Sequence, residues 1–203
     1  MDRDVVLRLY DDGVRAVEHV VEGWDGEQWA QPACGVWSGT DLAGHVLTVI
    51  GWYHSWLDRA EAGDASPAFP IDDLSEQTAR SLAELPEGTG PDRVAAFVEE
   101  ARRYAERLPA AWDLPFGYPR GTVTAGLHAA LAASEWHLHT WDFARAAGGE
   151  HRPSGATALF IASRECLIVS QKGLGARVQR PLLPVAAKRD AWGQILRRSG
   201  RTP

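Results

Sequence analysis

The chain has 203 residues, 45% of them hydrophobic, which is enough to bury the core of one domain. Its formal net charge of −6 argues against nucleic acid as a partner, because that binding needs an excess of basic side chains. Apolar runs fall short of the roughly 18 residues of a membrane span, and charges interrupt residues 1–22, so we expect no membrane anchor and no secretory signal. The two cysteines are far apart, which fits a reducing cytoplasm.

Apolar side chains recur at helical spacing between residues 3 and 22, which predicts a first amphipathic helix. An irregular connection rich in tryptophan follows, up to Trp37. Ser38, with Asp41 three positions later, has the form of a capping box and predicts the start of a second helix, which ends before Gly63. Residues 64–90 contain several Pro and Gly and predict a long connection with one short helix.

Pro91 suits the first turn of a third helix, which we expect to run to about Leu108. A Pro/Gly loop over residues 111–121 leads to a fourth helix, predicted from Thr122 to Ala147. A fifth helix is predicted from Ser154 to Lys172, and a short helical piece from Ala191 to Arg197.

No segment shows a convincing strand alternation, so the sequence predicts an all-α protein. We expect one domain over residues 1–203, built as an antiparallel four-helix bundle with long crossovers and an extra C-terminal helical element. Residues 173–203 are expected to form an irregular tail packed on it. Basic residues cluster towards the end of that tail, from residue 188 onward, and we interpret this cluster as solvated. They are Lys188, Arg189, Arg197, Arg198 and Arg201.

Glu135 and His139 lie four residues apart on the fourth helix, so they share one face. That face is mostly apolar, and a carboxylate buried without a partner is costly, which makes a bound cation the simplest compensation. His137 is two positions from His139 and therefore points elsewhere. The opposing interpretation is a surface Glu–His pair, which is common on helices.

A third ligand has to come from another helix, and His45 is the best candidate because it lies on the apolar stripe of the second helix. The opposing interpretation is a core histidine with an ordinary hydrogen bond. Two histidines and one glutamate with open positions are typical of a catalytic divalent metal site, with zinc the first choice. Nickel or iron suits the same ligands.

Three segments resemble a known family. CGVWSGTDLAGHV resembles the entry into the second helix of DinB/YfiT-like bundles, and SEWHLHTWDFARAAG is similar to the fourth helix of their mycothiol-dependent maleylpyruvate isomerase branch. The ending VAAKRDAWGQILRRSGRTP resembles the G-R-x-P ending of short actinobacterial members of that branch. The resemblance implies a four-helix bundle that holds a divalent metal, usually zinc, on His45, Glu135 and His139. It also implies that Asp142 supports a ligand rather than binding the metal.

The first functional hypothesis is therefore a zinc-dependent enzyme of the thiol transferase or isomerase type. The metal would lower the pKa of a small thiol such as mycothiol, and a small-molecule electrophile would be the substrate. Tyr53 and His54 are candidates for proton transfer. The alternatives are a hydrolase that uses a zinc-bound water, and a non-catalytic bundle that binds a metal or a small molecule.

A hydrophobic ligand would suit an apolar pocket formed by aromatic side chains, although tryptophan is more often a packing residue. The candidate pocket residues are Trp37, Trp52, Trp56 and Trp141. The tryptophan-rich faces are also compatible with a homodimer.

Overall fold

The computed structural model describes residues 2–163 and 190–203. Over these ranges the chain is mostly helical, which confirms the all-α prediction at the level of class. None of the helices in the described ranges is long and apolar enough to cross a membrane. The α-helices are α1 (Arg3–Val20), α2 (Gly26–Ala30), α3 (Gly39–Glu61), α4 (Leu74–Glu84), α5 (Gly90–Ala111), α6 (Ala125–Ala146), α7 (Gly155–Ser163) and α8 (Ala191–Arg198).

The four long helices, α1, α3, α5 and α6, enclose the main core. Helix α1 packs chiefly against α6, and α3 packs chiefly against α5. Each starts at a side-chain cap: Asp2 for α1, Ser38 for α3, Thr89 for α5 and Thr124 for α6. The capping box predicted from Ser38 and Asp41 is present.

Helix α6 is buried on almost every side between Ala125 and Ala144. A helix of this kind lacks the polar face of a surface helix, and the many alanines along it let neighbouring helices approach closely. The two acidic side chains of α6 therefore lie in an otherwise apolar element, and the fold has to provide partners for them.

Two short antiparallel hairpins occur where the sequence predicts irregular chain or, at residues 122–124, the start of the fourth helix. Strands β1 (Pro32–Cys34) and β2 (Trp37–Ser38) form the first, and β3 (Pro115–Tyr118) and β4 (Gly121–Thr124) form the second. The prediction of no strands is wrong here because strands of two to four residues are too short to show an alternating pattern. Strand β2 leads directly into α3, and β4 leads directly into α6.

Two helices are described in the C-terminal part of the chain. Helix α7 begins one residue after the predicted start, and α8 matches the predicted short piece. The remainder of the predicted fifth helix and the adjoining tail, residues 164–189, lie outside the described residues. A second apolar cluster joins α7 and α8 to α6. Its α6 members are Leu138 and Trp141, and α8 contributes Ala191, Trp192, Ile195 and Leu196.

Gly13 lies where α1 packs tightly against α6, and we predict that replacing it with valine destabilises the fold. A Cβ atom at Gly13 would lie 2.9 Å from the Cβ of Trp136, which is attached to backbone and cannot move aside. We expect Gly13→Val to lower the free energy of unfolding by about 1–3 kcal/mol, measured by urea denaturation.

Gly51→Val provides the matched control, because a Cβ at Gly51 of α3 meets no atom within 4 Å. Valine has a better helix propensity than glycine, so this variant should be as stable as the parent or slightly more so. Equal effects of the two substitutions would contradict the close packing of α1 on α6.

Candidate metal centre

Helices α3 and α6 bring His45, Glu135 and His139 together. One ligand atom from each of the three side chains lies within 4.8 Å of the others. The rings of His45 and His139 meet edge to face with centroids 5.0 Å apart, and His139 Nε2 lies 3.9 Å from Glu135 Oε1. Two imidazoles and a carboxylate on fixed helices are a donor set that suits a divalent metal.

The two histidines are buried, whereas the Glu135 side chain is 34% exposed. Solvent therefore reaches the group from the glutamate side. Burial, followed by the charge of His139, holds the pKa of His45 well below its ordinary value. His45 is consequently neutral at pH 7, which is the form that binds metals. Its Nδ1 atom is buried and has no hydrogen-bond partner within residues 2–163 and 190–203.

Glu135 is held by Tyr53, whose hydroxyl donates a short hydrogen bond to Glu135 Oε2. Burial and the nearby carboxylate of Glu135 raise the pKa of Tyr53 well above its ordinary value. Tyr53 therefore keeps its proton at neutral pH and fixes one oxygen of Glu135. The sequence singles out Tyr53 for proton transfer, and the structure places its hydroxyl on a candidate ligand.

His139 is held from its other side by Asp142, whose Oδ2 lies 3.0 Å from His139 Nδ1. A carboxylate in this position accepts the Nδ1 proton and leaves the Nε2 lone pair free, as in many metal-binding histidines. Asp142 in turn accepts hydrogen bonds from Arg201 Nε at 2.7 Å and from Arg201 Nη2 at 2.5 Å. Burial opposes ionisation of Asp142, but His139 and Arg201 together hold its pKa below the ordinary value.

The prediction of a solvated basic tail is wrong for Arg201. Its side chain is only 15% exposed and is paired with a carboxylate that is 3% exposed. Charge counting along the sequence cannot reveal this role, because Asp142 lies 59 positions earlier. The one sequence signal that points to Arg201 is the resemblance of the ending to G-R-x-P.

Cys34, at the end of β1, lies near Asp142 and Arg201 and is half-buried. Burial, and then the charge of Asp142, raises the pKa of its thiol to about 11. The thiol is therefore protonated at neutral pH, which does not favour Cys34 as a nucleophile.

The remaining candidates are dispersed. His54 lies outside the cluster, with Nε2 2.9 Å from the backbone oxygen of Glu100 and Nδ1 3.2 Å from Arg107. His137 also points away from His139, and its Nδ1 lies 3.2 Å from His151 Nε2.

The four tryptophans proposed as pocket residues have different neighbours in the structure. The ring of Trp37 lies 4.7 Å from that of His45. Trp52 and Trp56 stack on one another with centroids 6.1 Å apart. Trp141 belongs to the apolar cluster that joins α6 to α7 and α8.

An aromatic cage around His128 borders Tyr53. His128 is fully buried, stacks on Phe116 at 4.2 Å, and its Nδ1 lies 2.9 Å from the hydroxyl of Tyr104. Burial lowers the pKa of His128 to about 3. The unfolded chain, in which histidine has its ordinary pKa near 6.5, binds this proton more readily than the folded protein does.

We therefore predict that the metal-free protein loses stability as the pH falls from 6.5 towards 3. The contribution of His128 should be on the order of 3 kcal/mol between pH 7 and pH 4, measured by urea denaturation at each pH. His128→Phe should flatten this dependence, although loss of the Tyr104 hydrogen bond lowers stability at all pH values. An unchanged slope in the variant would contradict the assignment to His128.

These observations define a mostly helical protein with a histidine–glutamate–histidine group that could hold a metal ion. The chain matches the family model of the mycothiol maleylpyruvate isomerase N-terminal domain over residues 10–144, which is more than half of its length. It therefore belongs to that family, which lies in the DinB/YfiT-like branch. Comparison with curated proteins found no match, and comparison with solved structures found none either.

Proposed function

We propose that the chain is an enzyme that depends on a divalent metal, with zinc the expected ion, and uses a small thiol such as mycothiol in a transfer or isomerisation reaction. The observation that carries the proposal is the meeting of His45, Glu135 and His139 within 4.8 Å in a chain of a mycothiol-related family. The proposal includes the antiparallel four-helix bundle of DinB/YfiT-like proteins, a cytoplasmic location and a small-molecule substrate.

The donor chemistry supports a metal at this group. His45 is neutral and has a buried nitrogen with no hydrogen-bond partner in the described part of the chain, and His139 has its second nitrogen next to a carboxylate. Both properties are those of histidines that bind metals. A bound metal would supply a Lewis acid that lowers the pKa of a thiol, which yields a thiolate at neutral pH.

The protein's own residues would orient and shield this chemistry. Tyr53 holds one oxygen of Glu135, and Asp142 holds the ring of His139. The two candidate metal-binding side chains of α6 would therefore be held in place before a metal ion or a thiol binds. The Trp37 ring packs beside the His45 ring, with centroids 4.7 Å apart, and would help to hold that imidazole in place. A thiol and its electrophile would enter on the glutamate side, where the group is open to solvent.

The test is a titration of mycothiol into protein that has been stripped with a chelator and loaded with cobalt. We expect about one divalent ion per chain by elemental analysis, and a sulfur-to-cobalt charge-transfer band when mycothiol is added. The oxidised disulfide of mycothiol is the control, because it has no thiol to bind and should give no band.

Two outcomes would count against the proposal. A folded protein that takes up no cobalt or zinc would overturn the metal centre. Cobalt-loaded protein whose spectrum does not respond to mycothiol would overturn the use of this thiol.

A further inference from the structure

The contact between Arg201 and Asp142 links the C-terminal helix to the metal centre. Arg201 donates two hydrogen bonds to the Asp142 carboxylate, one to each oxygen, and Asp142 Oδ2 also contacts His139 Nδ1. A guanidinium that binds both oxygens of a carboxylate fixes its plane as well as its position. The orientation of the His139 ring is thus connected to a residue 59 positions after Asp142.

The approach of Arg201 is built into the end of α8. The backbone N–H of Gly200 bonds to the carbonyl of Arg197 at 3.1 Å, and that of Arg201 bonds to the carbonyl of Leu196 at 2.9 Å. These two bonds, with Gly200 at φ +81°, form a Schellman turn. The turn reverses the chain immediately after α8.

The apolar cluster fixes α8 against α6, and it includes Leu138, the residue next to His139. Trp192 adds a directional contact, since its Nε1 donates to the backbone oxygen of His151 at 3.0 Å. Arg201 is therefore held by a helix that is itself packed beside the candidate ligand, and not by a free tail.

Among the residues that the structure describes, the Asp142 carboxylate has one cationic partner, Arg201, and it also contacts His139 Nδ1. A carboxylate that is 3% exposed needs such partners because burial removes it from water. Without Arg201, the Asp142 side chain would lose two hydrogen bonds and would be free to turn. A rotated carboxylate no longer accepts the Nδ1 proton of His139.

We propose that Arg201 is a positioning residue for the metal centre: it holds Asp142 so that His139 keeps its proton on Nδ1 and presents Nε2 to the ion. This inference rests on the proposed function for the identity of the ion. Its structural content, which is control of the His139 tautomer by Arg201, can be measured without any metal.

The experiment compares Arg201→Ala, Arg201→Lys and Arg198→Ala in the full chain. Arg198 is the last residue of α8 and is exposed, so its replacement removes a positive charge near Arg201 without affecting the contact with Asp142. The first readout is the tautomer of His139 in metal-free protein, from nitrogen-15 chemical shifts at a single pH. The second is the Kd for cobalt, and amide exchange in α8 reports whether the helix stays docked.

We expect Arg201→Ala to mix the His139 tautomers and to weaken cobalt binding by about 10–100-fold, the usual effect of losing a partner that supports a ligand. Arg201→Lys keeps the charge but not the paired donors, so it should fall between Arg201→Ala and the parent. Arg198→Ala should behave as the parent does.

A parent-like tautomer and a parent-like Kd in Arg201→Ala would overturn the inference. If Arg201→Ala undocks α8, Arg201→Lys decides instead, and parent-like values of both readouts in that variant overturn it. If the parent chain binds no cobalt, the proposed function fails, while the tautomer measurement still decides the role of Arg201.

Discussion

Replacing His45 with alanine is expected to abolish stoichiometric metal binding. His45 is the one candidate ligand that α3 supplies, and α6 alone would leave a glutamate and a histidine, too few to hold a catalytic metal. Losing a residue that only supports a ligand weakens metal binding by up to about 100-fold. Losing a ligand itself should cost more, so we expect the Kd for cobalt to rise by more than about 100-fold. Isothermal titration of metal-free protein measures it directly.

His54→Ala is the matched control for this prediction. His54 belongs to the same helix and is also partly buried, but its nitrogens contact Glu100 and Arg107. We expect its removal to leave the Kd for cobalt within about twofold of the parent value, because it supplies neither a ligand nor a partner of one. Equal losses in the two variants, or tight binding after loss of His45, would exclude the proposed ligand set.

Replacing Asp142 with alanine is expected to produce the largest loss of stability among single changes at the site. The substitution leaves Arg201 largely buried without its carboxylate and removes the acceptor of His139 Nδ1. Breaking a buried ion pair on one side costs about 3–5 kcal/mol, because the remaining charge is uncompensated. Urea denaturation of the metal-free protein should show a loss of about 3 kcal/mol.

Arg197→Ala provides the comparison. Arg197 of α8 forms an ion pair with Asp190, the N-cap residue of that helix, and both side chains are about half exposed. An exposed pair contributes about 0–1 kcal/mol, so this variant should be nearly as stable as the parent. If Asp142→Ala cost no more than Arg197→Ala, the buried pair would have no special role in holding α8.

The four long helices were predictable because each carries its own signal, whereas the five-residue helix α2 lies where the sequence predicts an irregular connection. The apolar spacing of α1 and the Ser38–Asp41 cap of α3 are local patterns. In the structure the predicted face of α1 is buried, and the Ser38–Asp41 capping box is formed at the start of α3. The hairpins were not predictable, since they comprise strands of two to four residues. Their pairing depends on glycine turns such as Gly35 at φ +61°, which a scan for alternating residues does not register.

The candidate site also contains some residues that the sequence could indicate and others that it could not. Glu135 and His139 could be chosen because an acidic residue interrupts an apolar helical face, and His45 because it interrupts another. The structure brings these three residues together, as the prediction requires, while their role as metal ligands remains the proposal. The partners Tyr53 and Arg201 depend on contacts across 82 and 59 positions, and no local pattern encodes such contacts.

The distance along the chain between Asp142 and Arg201 has a consequence for synthesis. A ribosome adds about 5–20 residues per second, so the 59 residues from 143 to 201 take roughly 3–12 s to make. His45, Glu135 and His139 are all translated before that interval begins. For several seconds the nascent chain therefore carries all three candidate ligands before Arg201, the hydrogen-bond partner of Asp142, has been made.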